Sequence, residues 1–380
     1  MKVITAIDSF KGSLSSMEAG AAAREGILRV FPQAEVWIRP LADGGEGTVD
    51  ALTEGLQGRK VQVTVPDPLG RPVVCTYGIL EESRTAILEM SGAAGLTLLS
   101  PEERNPLKTG TYGVGMVIRD AIERGCRRFL VGIGGSATND GGVGMLQALG
   151  YEFLDSEGNP IPPGAEGLKR LASIGIDHVM PELEQCRFQV ACDVKNVLCG
   201  SEGCSAVYGP QKGADPEMIR HMDGWLKQYA ELTRKVSPQA DPEFPGTGAA
   251  GGMGFAFLSY TNAVLESGIH IVLEETKLEA YIKEADVILT GEGRLDGQTA
   301  MGKAPIGVAE LAKKYGKTVL AFAGGVTEDA KACNEKGIDA FFPIVRGITT
   351  LEQAMETKKA EENLADTVEQ VFRLIKALEK

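Results

Sequence analysis

The 380-residue sequence contains only three histidines, and none of its seven cysteines forms a closely spaced pair of the zinc-binding type. Cys199 and Cys204 come nearest to such a pair, but so few histidines make a tetrahedral zinc site unexpected. An odd number of cysteines fits reduced thiols in a cytoplasmic protein better than a disulfide framework. A histidine general base is also disfavoured, so carboxylates are expected to carry any proton transfer.

Long apolar runs and an excess of basic residues are absent as well. No run reaches the roughly 18 apolar residues of a membrane span, and the acid at position 8 comes too early for a signal peptide. The formal net charge of −13 argues against a nucleic-acid partner, because binding to the phosphate backbone needs a basic surface. We therefore expect a cytoplasmic protein that binds small molecules, with the homo-oligomeric state left open.

The chain is longer than one compact core usually is, so two domains are expected. Apolar runs alternate with helical periodicity at both ends, which is typical of a parallel α/β sheet. The middle begins with extended runs separated by the turn-like segments DPLGRP and EESR, which indicate antiparallel strands. The sequence thus predicts an α/β protein, with a Rossmann-like parallel-sheet domain from residues 1–65 and 282–380 and an inserted second α/β domain at 66–281.

The stretch AIDSFKGSLSSMEAG joins the first apolar run to the first helix-like pattern. Ligands of open parallel sheets bind beyond the carboxyl ends of the strands, which makes this turn a candidate site. Gly12 allows close backbone approach, and Lys11 places a cation beside a helix N-terminus that the serines can cap. The alternative is a plain helix cap with a solvated lysine. We predict anion binding here, with Asp8 and Ser9 beside Lys11.

Two further loops that follow apolar runs, ADGGEGT and TGEGRLDGQTAMGKAP, combine glycines with charged residues. Glycine weakens a helix by about 1 kcal/mol relative to alanine, so two acids among three glycines favour function over stability. Mg²⁺ takes carboxylate oxygens together with substrate phosphate, and the predicted metal ligands are Asp43, Glu46, Glu292 and Asp296. Predicted to hold substrate or phosphate are Gly44, Gly45, Arg294, Gln298, Thr299 and Lys303, although a salt-bridged surface loop is the alternative for the last four.

Within the predicted insert, LVGIGGSATNDGGVGMLQALG is a glycine-rich turn between a strand and a helix. It matches neither the Walker nor the dinucleotide motif, but backbone N–H groups in such a turn can form an anion-binding nest. The predicted anion-binding residues are Gly134, Gly135, Ser136, Asn139 and Asp140. Asp193 and Lys195 follow another strand in QVACDVKNVL, and Lys212 lies in YGPQKGA.

Six motifs in this order resemble those of the glycerate kinase family of bacterial two-domain enzymes: AIDSFKGSLSS, LADGGEGT, GIGGSATNDGGVGMLQALG, CDVKNVL, YGPQKGA and LTGEGRLDGQT. The resemblance covers essentially the whole chain. It implies ATP-dependent phosphorylation of D-glycerate with Mg²⁺ as cofactor, on a Rossmann-like domain that carries an inserted second domain. The branch of the family that this chain resembles implies 2-phosphoglycerate as the product.

Physical reasoning gives a working assignment of roles. Asp193 is predicted to accept the proton of the glycerate hydroxyl, and Lys11 and Lys195 to neutralise a carboxylate or the transferred phosphate. Asp43 and Glu292 are predicted to lie near Mg²⁺, in a cleft between the two domains. Which loop binds ATP and which binds glycerate stays open.

Two other classes of protein remain as alternatives. A two-domain nucleotide-binding sensor of a small acid would need fewer acids beside Lys and Arg in its loops. A nicotinamide oxidoreductase would need G-x-G-x-x-G directly after the first strand, where this sequence has DSFKGS. The oxidoreductase is therefore disfavoured, and an assay of turnover separates all three classes.

Overall fold

The computed structural model describes residues 1–379 as two compact units. Of these residues, the first unit comprises 1–43, 50–57 and 269–379, and the second comprises 44–49 and 58–268. The strands are β1 (Lys2–Ile7), β2 (Glu35–Ile38), β3 (Arg59–Pro66), β4 (Pro72–Leu80), β5 (Thr85–Glu89), β6 (Arg128–Gly132), β7 (Glu152–Leu154), β8 (Ser173–Gly175), β9 (Arg187–Ala191), β10 (Ala263–Glu266), β11 (Val287–Leu295), β12 (Thr318–Val326) and β13 (Ala340–Pro343). The α-helices are α1 (Ser16–Val30), α2 (Thr48–Gly55), α3 (Ser91–Ala94), α4 (Tyr112–Glu123), α5 (Val143–Ala148), α6 (Ala165–Leu168), α7 (Cys204–Tyr208), α8 (Pro216–Val236), α9 (Ala249–Tyr260), α10 (Gly268–Glu275), α11 (Leu278–Glu284), α12 (Ala304–Lys313), α13 (Ala332–Glu335), α14 (Leu351–Met355) and α15 (Thr357–Leu378).

The first unit contains a five-stranded parallel sheet in the order β13-β12-β11-β1-β2, built from strands near both ends of the chain. Strand β1 lies between β11 and β2 and is buried from Val3 to Ile7, which explains why its sequence is mostly apolar. Helix α1 packs against α15 so closely that a Cβ on Gly26 would lie 2.2 Å from the carbonyl oxygen of Ala365.

The second unit contains a six-stranded mixed sheet in the order β10-β9-β6-β5-β4-β3. Strands β3, β4 and β5 pair antiparallel, whereas β5, β6, β9 and β10 pair parallel. A small antiparallel pair, β7 and β8, completes the strands. The fold class predicted from the sequence is confirmed: a parallel sheet from both chain ends and a second α/β unit with antiparallel strands.

The limits of the units can be compared with the predicted border at residue 65. That border falls inside β3, which pairs with β4 from Arg59↔Ile79 to Pro66↔Pro72 and so belongs to the second sheet. The hairpin partner, and not the alternating pattern of β3 itself, decides which sheet the strand joins. Among residues 1–379, no helix combines the length and apolar character needed to cross a membrane.

Candidate active site

The order in which strands are added to the first sheet reverses between β1 and β11. From β1 the chain continues to β2 on one side, whereas β11, β12 and β13 extend the sheet on the other side. Ligands of open α/β sheets bind at such a switch point, beyond the carboxyl ends of the strands. A cavity of about 490 Å³ opens there within the first unit. Eight of the predicted site residues line it: Asp8, Ser9, Lys11, Asp43, Glu292, Arg294, Asp296 and Lys303.

Asp8 follows directly on β1 and is 5% exposed. Its Oδ1 accepts a hydrogen bond from the backbone N–H of Ser9 at 2.7 Å. Burial, and then the nearby charge of Asp43, raise the pKa of Asp8 to about 8. The carboxyl at the centre of this site therefore changes its charge near neutral pH, and a bound cation would favour its ionised form.

Ser16 links the end of β1 to the segment that follows β2. Its Oγ donates to the carbonyl oxygen of Ile7 at 2.6 Å and accepts from the backbone N–H of Leu41 at 2.9 Å. The first contact fixes the residue before Asp8, and the second fixes the segment that leads to Asp43. The neighbouring Ser15 caps α1, as its Oγ accepts the backbone N–H of Glu18 at 3.2 Å.

Lys11 lies at the mouth of this turn with 53% of its side chain exposed. Its Nζ is 4.0 Å from Oδ2 of Asp43, whose side chain is 29% exposed. Gly12, which follows, has a φ of +77°, a conformation that glycine adopts without strain. Lys11 is thus accessible to a ligand, and its role in anion binding stays a prediction from the sequence.

Glu292 stands on the other side of the switch point, near the end of β11. Its Oε1 accepts a hydrogen bond from Oγ1 of the fully buried Thr299 at 2.6 Å, and burial raises the pKa of Glu292. Asp296 holds the same loop, because its Oδ1 accepts the backbone N–H groups of Gln298 and Thr299. Thr299 therefore positions Glu292, while the exposed Gln298 lies outside the lining of the cavity.

Two further cations border the cavity. Arg294 is 69% exposed and lies 3.9 Å from Asp296, and Lys303 immediately precedes α12. With Lys11 they give three cations facing four carboxylates in the cavity wall. This balance suits an anionic ligand that arrives together with a divalent cation.

A magnesium ion fits these residues only with ligand oxygens from the substrate. Among residues 1–379, no group of three or more His, Cys, Asp and Glu side chains is arranged to hold a metal. Mg²⁺ characteristically uses one or two carboxylates plus substrate phosphates and water, so the prediction of Asp43 and Glu292 as its protein ligands needs no larger cluster. Burial is the main reason that the pKa values of Asp8 and Glu292 are raised.

In the second unit the glycine-rich turn after β6 is closed by Asp140. This carboxylate is 2% exposed and accepts hydrogen bonds from the backbone N–H groups of Thr111, Gly142 and Gly144, and from the Thr111 hydroxyl at 2.8 Å. Burial raises its pKa despite these bonds. Both carboxylate oxygens of Asp140 therefore accept hydrogen bonds from the protein, and these bonds stabilise the conformation of the turn.

Lys212, in the motif YGPQKGA, supports the same turn from a short helical segment. The sequence predicted no role for this residue. It is 1% exposed, and its Nζ donates to Oγ of Ser136 at 2.9 Å and to the carbonyl oxygen of Thr138 at 2.6 Å. Burial lowers its pKa to about 8. Nothing in the local sequence distinguishes this buried lysine from a solvated one.

The other predicted residues of this turn differ in exposure. Gly134 and Gly135 are exposed, so their backbone is open to a ligand. Ser136 and Asn139 are buried, and Nδ2 of Asn139 donates to Oγ of Ser205 at 2.8 Å. The turn is backed by α9, since Gly141 donates its N–H to the carbonyl oxygen of Gly251 at 2.9 Å.

The remaining predicted residues lie in other loops of the second unit. Asp193 and Lys195 are exposed after β9, and Oδ1 of Asp193 accepts the backbone N–H of Gly268 at 3.2 Å. Glu46 is exposed. Gly44 has a φ of +84°, and a Cβ there would lie 2.6 Å from that of Ala191, so this glycine serves close packing. Gly45 is half-buried beside it.

Sequence reasoning missed the apolar residues of this cavity, which include Ile344, Leu351 and Met355. The last two belong to the short helix α14, where their spacing of four residues puts them on one face. Thr350 caps that helix by accepting the backbone N–H of Gln353. The sequence TTLEQAM indicates a capped helix with two apolar residues on one face. Only the tertiary structure shows that this helix lies against the loop after β1.

An α/β fold with lysines and carboxylates in a cavity at the switch point of its sheet is the kind of site that phosphoryl transfer needs. The chain belongs to the glycerate kinase family, whose model matches residues 3–376. Glycerate kinase of Haemophilus influenzae is 46% identical to it over 99% of both chains. Glycerate 2-kinase of Escherichia coli K12 is 44% identical over 97% of this chain and 98% of that protein. A crystal structure described as glycerate kinase 2 from Salmonella typhimurium LT2 superimposes with a TM-score of 0.92 at 46% identity, covering 100% of this chain and 99% of that one.

Proposed function

We propose that the protein phosphorylates D-glycerate with ATP and Mg²⁺, giving 2-phosphoglycerate and ADP. Its family membership supports glycerate phosphorylation. The observation that carries the mechanism is the cavity at the switch point, where Lys11 and Lys303 face Asp8, Asp43 and Glu292. Phosphoryl transfer depends on positioning and charge neutralisation more than on a strong base, and this site offers both.

In the proposed reaction the 2-hydroxyl oxygen of glycerate bonds to the γ-phosphorus, and the bond from that phosphorus to ADP breaks. The hydroxyl proton passes to the carboxylate of Asp193, which is exposed. Lys11, together with Lys195, neutralises the charge on the substrate carboxylate or the transferred group. Mg²⁺ at Asp43 and Glu292 would supply charge neutralisation of the phosphates. That residues of both units act on one phosphoryl group stays a prediction from the sequence.

The test is a coupled assay of the purified protein with ATP, Mg²⁺ and D-glycerate, followed by phosphorus NMR of the product. We expect ADP release that depends on glycerate, and a product phosphorylated at the 2-position. A 3-phosphoglycerate product would overturn the regiochemistry. ATP binding without turnover would instead favour the sensor, and glycerate oxidation with a nicotinamide would favour the oxidoreductase.

Removal of the metal tests the role of Mg²⁺. Activity should vanish with EDTA and return with Mg²⁺ or Mn²⁺, because the site offers oxygen ligands and no histidine or cysteine cluster among residues 1–379. Full turnover in metal-free buffer would contradict it.

Asp193→Asn tests the proton acceptor. We expect kcat to fall about 10²–10⁴-fold, the usual contribution of general-base catalysis, with the unfolding transition unchanged. Asp177→Asn, at an exposed carboxylate of the same unit, serves as the matched control. An Asp193→Asn enzyme with the wild-type kcat would remove this residue from the chemistry.

A further inference from the structure

The cavity of the first unit has two chemically different walls. One wall carries the ionic groups, among them Lys11, Asp43 and Lys303, and the other is apolar and contains Ile344, Leu351 and Met355. A ligand that uses the whole cavity must therefore combine an anionic part with an apolar one. Glycerate has three carbons that all carry oxygen, so it cannot use the apolar wall.

The apolar wall is partly open to solvent, since Ile344 is buried but Leu351 is not. Leu351 is 76% exposed, and the nearby Ile348 is fully exposed. Large apolar side chains at the mouth of a cavity are a common feature of ligand sites, because contact with a ligand removes their apolar surface from water. Since Leu351 lines the cavity itself, it is placed to gain from such a contact.

The apolar wall is fixed to the cationic turn. The hydroxyl of Thr357, just after α14, donates to the carbonyl oxygen of Ser13 at 3.1 Å. The terminal methyl carbon of Met355 lies over Gly12, 2.8 Å from where a Cβ would stand. The two walls thus meet at the residue after Lys11, and a single ligand can touch both.

We propose that this cavity is the nucleotide subsite, with the adenine base against Leu351 and Met355 and the phosphates directed to Lys11 and Lys303. A volume of about 490 Å³ lies within the range of pockets that enclose a ligand of this size. The assignment deepens the proposed function and rests on it, because it gives ATP to the first unit. D-Glycerate then occupies a different set of residues.

The test measures binding of ATP, adenosine and inorganic tripolyphosphate by calorimetry, with wild type and three variants. Leu351→Ser should weaken ATP and adenosine about tenfold, equivalent to about 1.4 kcal/mol, and leave tripolyphosphate unchanged. Lys303→Met should weaken ATP and tripolyphosphate to a similar extent and spare adenosine. Leu374→Ser, at a 58% exposed leucine of α15 outside the cavity lining, should change none of the three.

The outcomes separate this inference from the function on which it rests. If Leu351→Ser keeps the wild-type affinity for adenosine and the wild-type KM for ATP while glycerate is phosphorylated, the subsite is wrong and the function stands. A larger loss of glycerate affinity than of ATP affinity in that variant would also overturn it, as would a wild type that binds no adenosine. If the three ligands respond as expected but glycerate is not phosphorylated, the subsite stands and the proposed function fails.

Discussion

The turn after β1 and the turn after β6 look alike in sequence, since each follows a parallel strand with glycines and polar residues, but the structure uses their charges in opposite ways. In the first turn Lys11 is 53% exposed, with only a 4.0 Å contact to Asp43. In the second, Asp140 and the supporting Lys212 are at most 2% exposed and make short hydrogen bonds to backbone and hydroxyl groups.

The difference shows how to separate a charge that binds a ligand from one that shapes a loop. A buried ion is tolerated only when protein groups satisfy it, so its hydrogen-bonding capacity is used within the fold. A half-exposed ion keeps that capacity for a ligand. Substitutions of Asp140 and Lys212 in the second turn should therefore act on stability, and substitution of Lys11 in the first turn on catalysis.

The largest effect is expected for Asp140→Ala. The variant leaves the buried backbone N–H groups of Thr111, Gly142 and Gly144 without their acceptor, which should lower the free energy of unfolding by about 3–5 kcal/mol. Urea unfolding measures this. Asp8→Ala, which loses only one backbone hydrogen bond, is the matched substitution in the first turn. If both variants lose the same free energy of unfolding, the proposed difference between the two turns is wrong.

Lys212→Met should cost about 2–4 kcal/mol at pH 7, because Ser136 and the carbonyl oxygen of Thr138 lose a charged donor. Lys227→Met, at a 58% exposed lysine, should cost less than about 1 kcal/mol. Burial lowers the pKa of Lys212 from 10.5 to about 8, so between these values the unfolded chain binds more protons. The free energy of unfolding of wild type should then increase relative to that of Lys212→Met as the pH rises from 8 to 10. If the difference between the two proteins does not change with pH, Lys212 is not a buried charge.

Lys11→Met keeps most of the side-chain stem and removes the charge. We expect kcat/KM to fall roughly tenfold to a hundredfold, the effect of one charge-assisted contact of about 1.5–3 kcal/mol, with stability changed by less than about 1 kcal/mol. Steady-state kinetics with ATP and glycerate measures it, and the exposed Lys359 mutated to Met is the control. Normal folding with wild-type kcat/KM would mean that the first turn is only a helix cap.

The last effect concerns the dependence of stability on pH through Asp8. Its pKa in the folded protein is raised from 3.8 to about 8, so the folded state binds more protons between these values. Its contribution to stability is full below pH 4 and is lost as the pH rises to 8. Without Mg²⁺, wild type should lose up to about 3–4 kcal/mol relative to Asp8→Asn from pH 5 to pH 8. Parallel pH profiles would show that Asp8 is not buried as described.

The fold was predictable for segments whose local sequence pattern matches the position that they take in the structure. The apolar run of β1 is central and parallel in the structure, and the DPLGRP segment joins the hairpin strands β3 and β4. The sheet to which β3 belongs was not predictable, because an alternating strand fits either sheet and pairing decides between them. The loops that line the cavity were predictable from their position after strands, although their chemical roles stay predictions.

The sequence by itself determined the fold class, the family and the loops where charged residues gather, because periodicity, turn residues and motif order are local properties of the chain. Only the tertiary structure decided that Lys212 is buried while Lys11 is half-exposed, since burial depends on what packs around a residue. It also placed Leu351 and Met355, more than 300 residues further along the chain, in the same cavity as Lys11. A contact across that separation exists only once the sheet has ordered its strands, because no local preference encodes it.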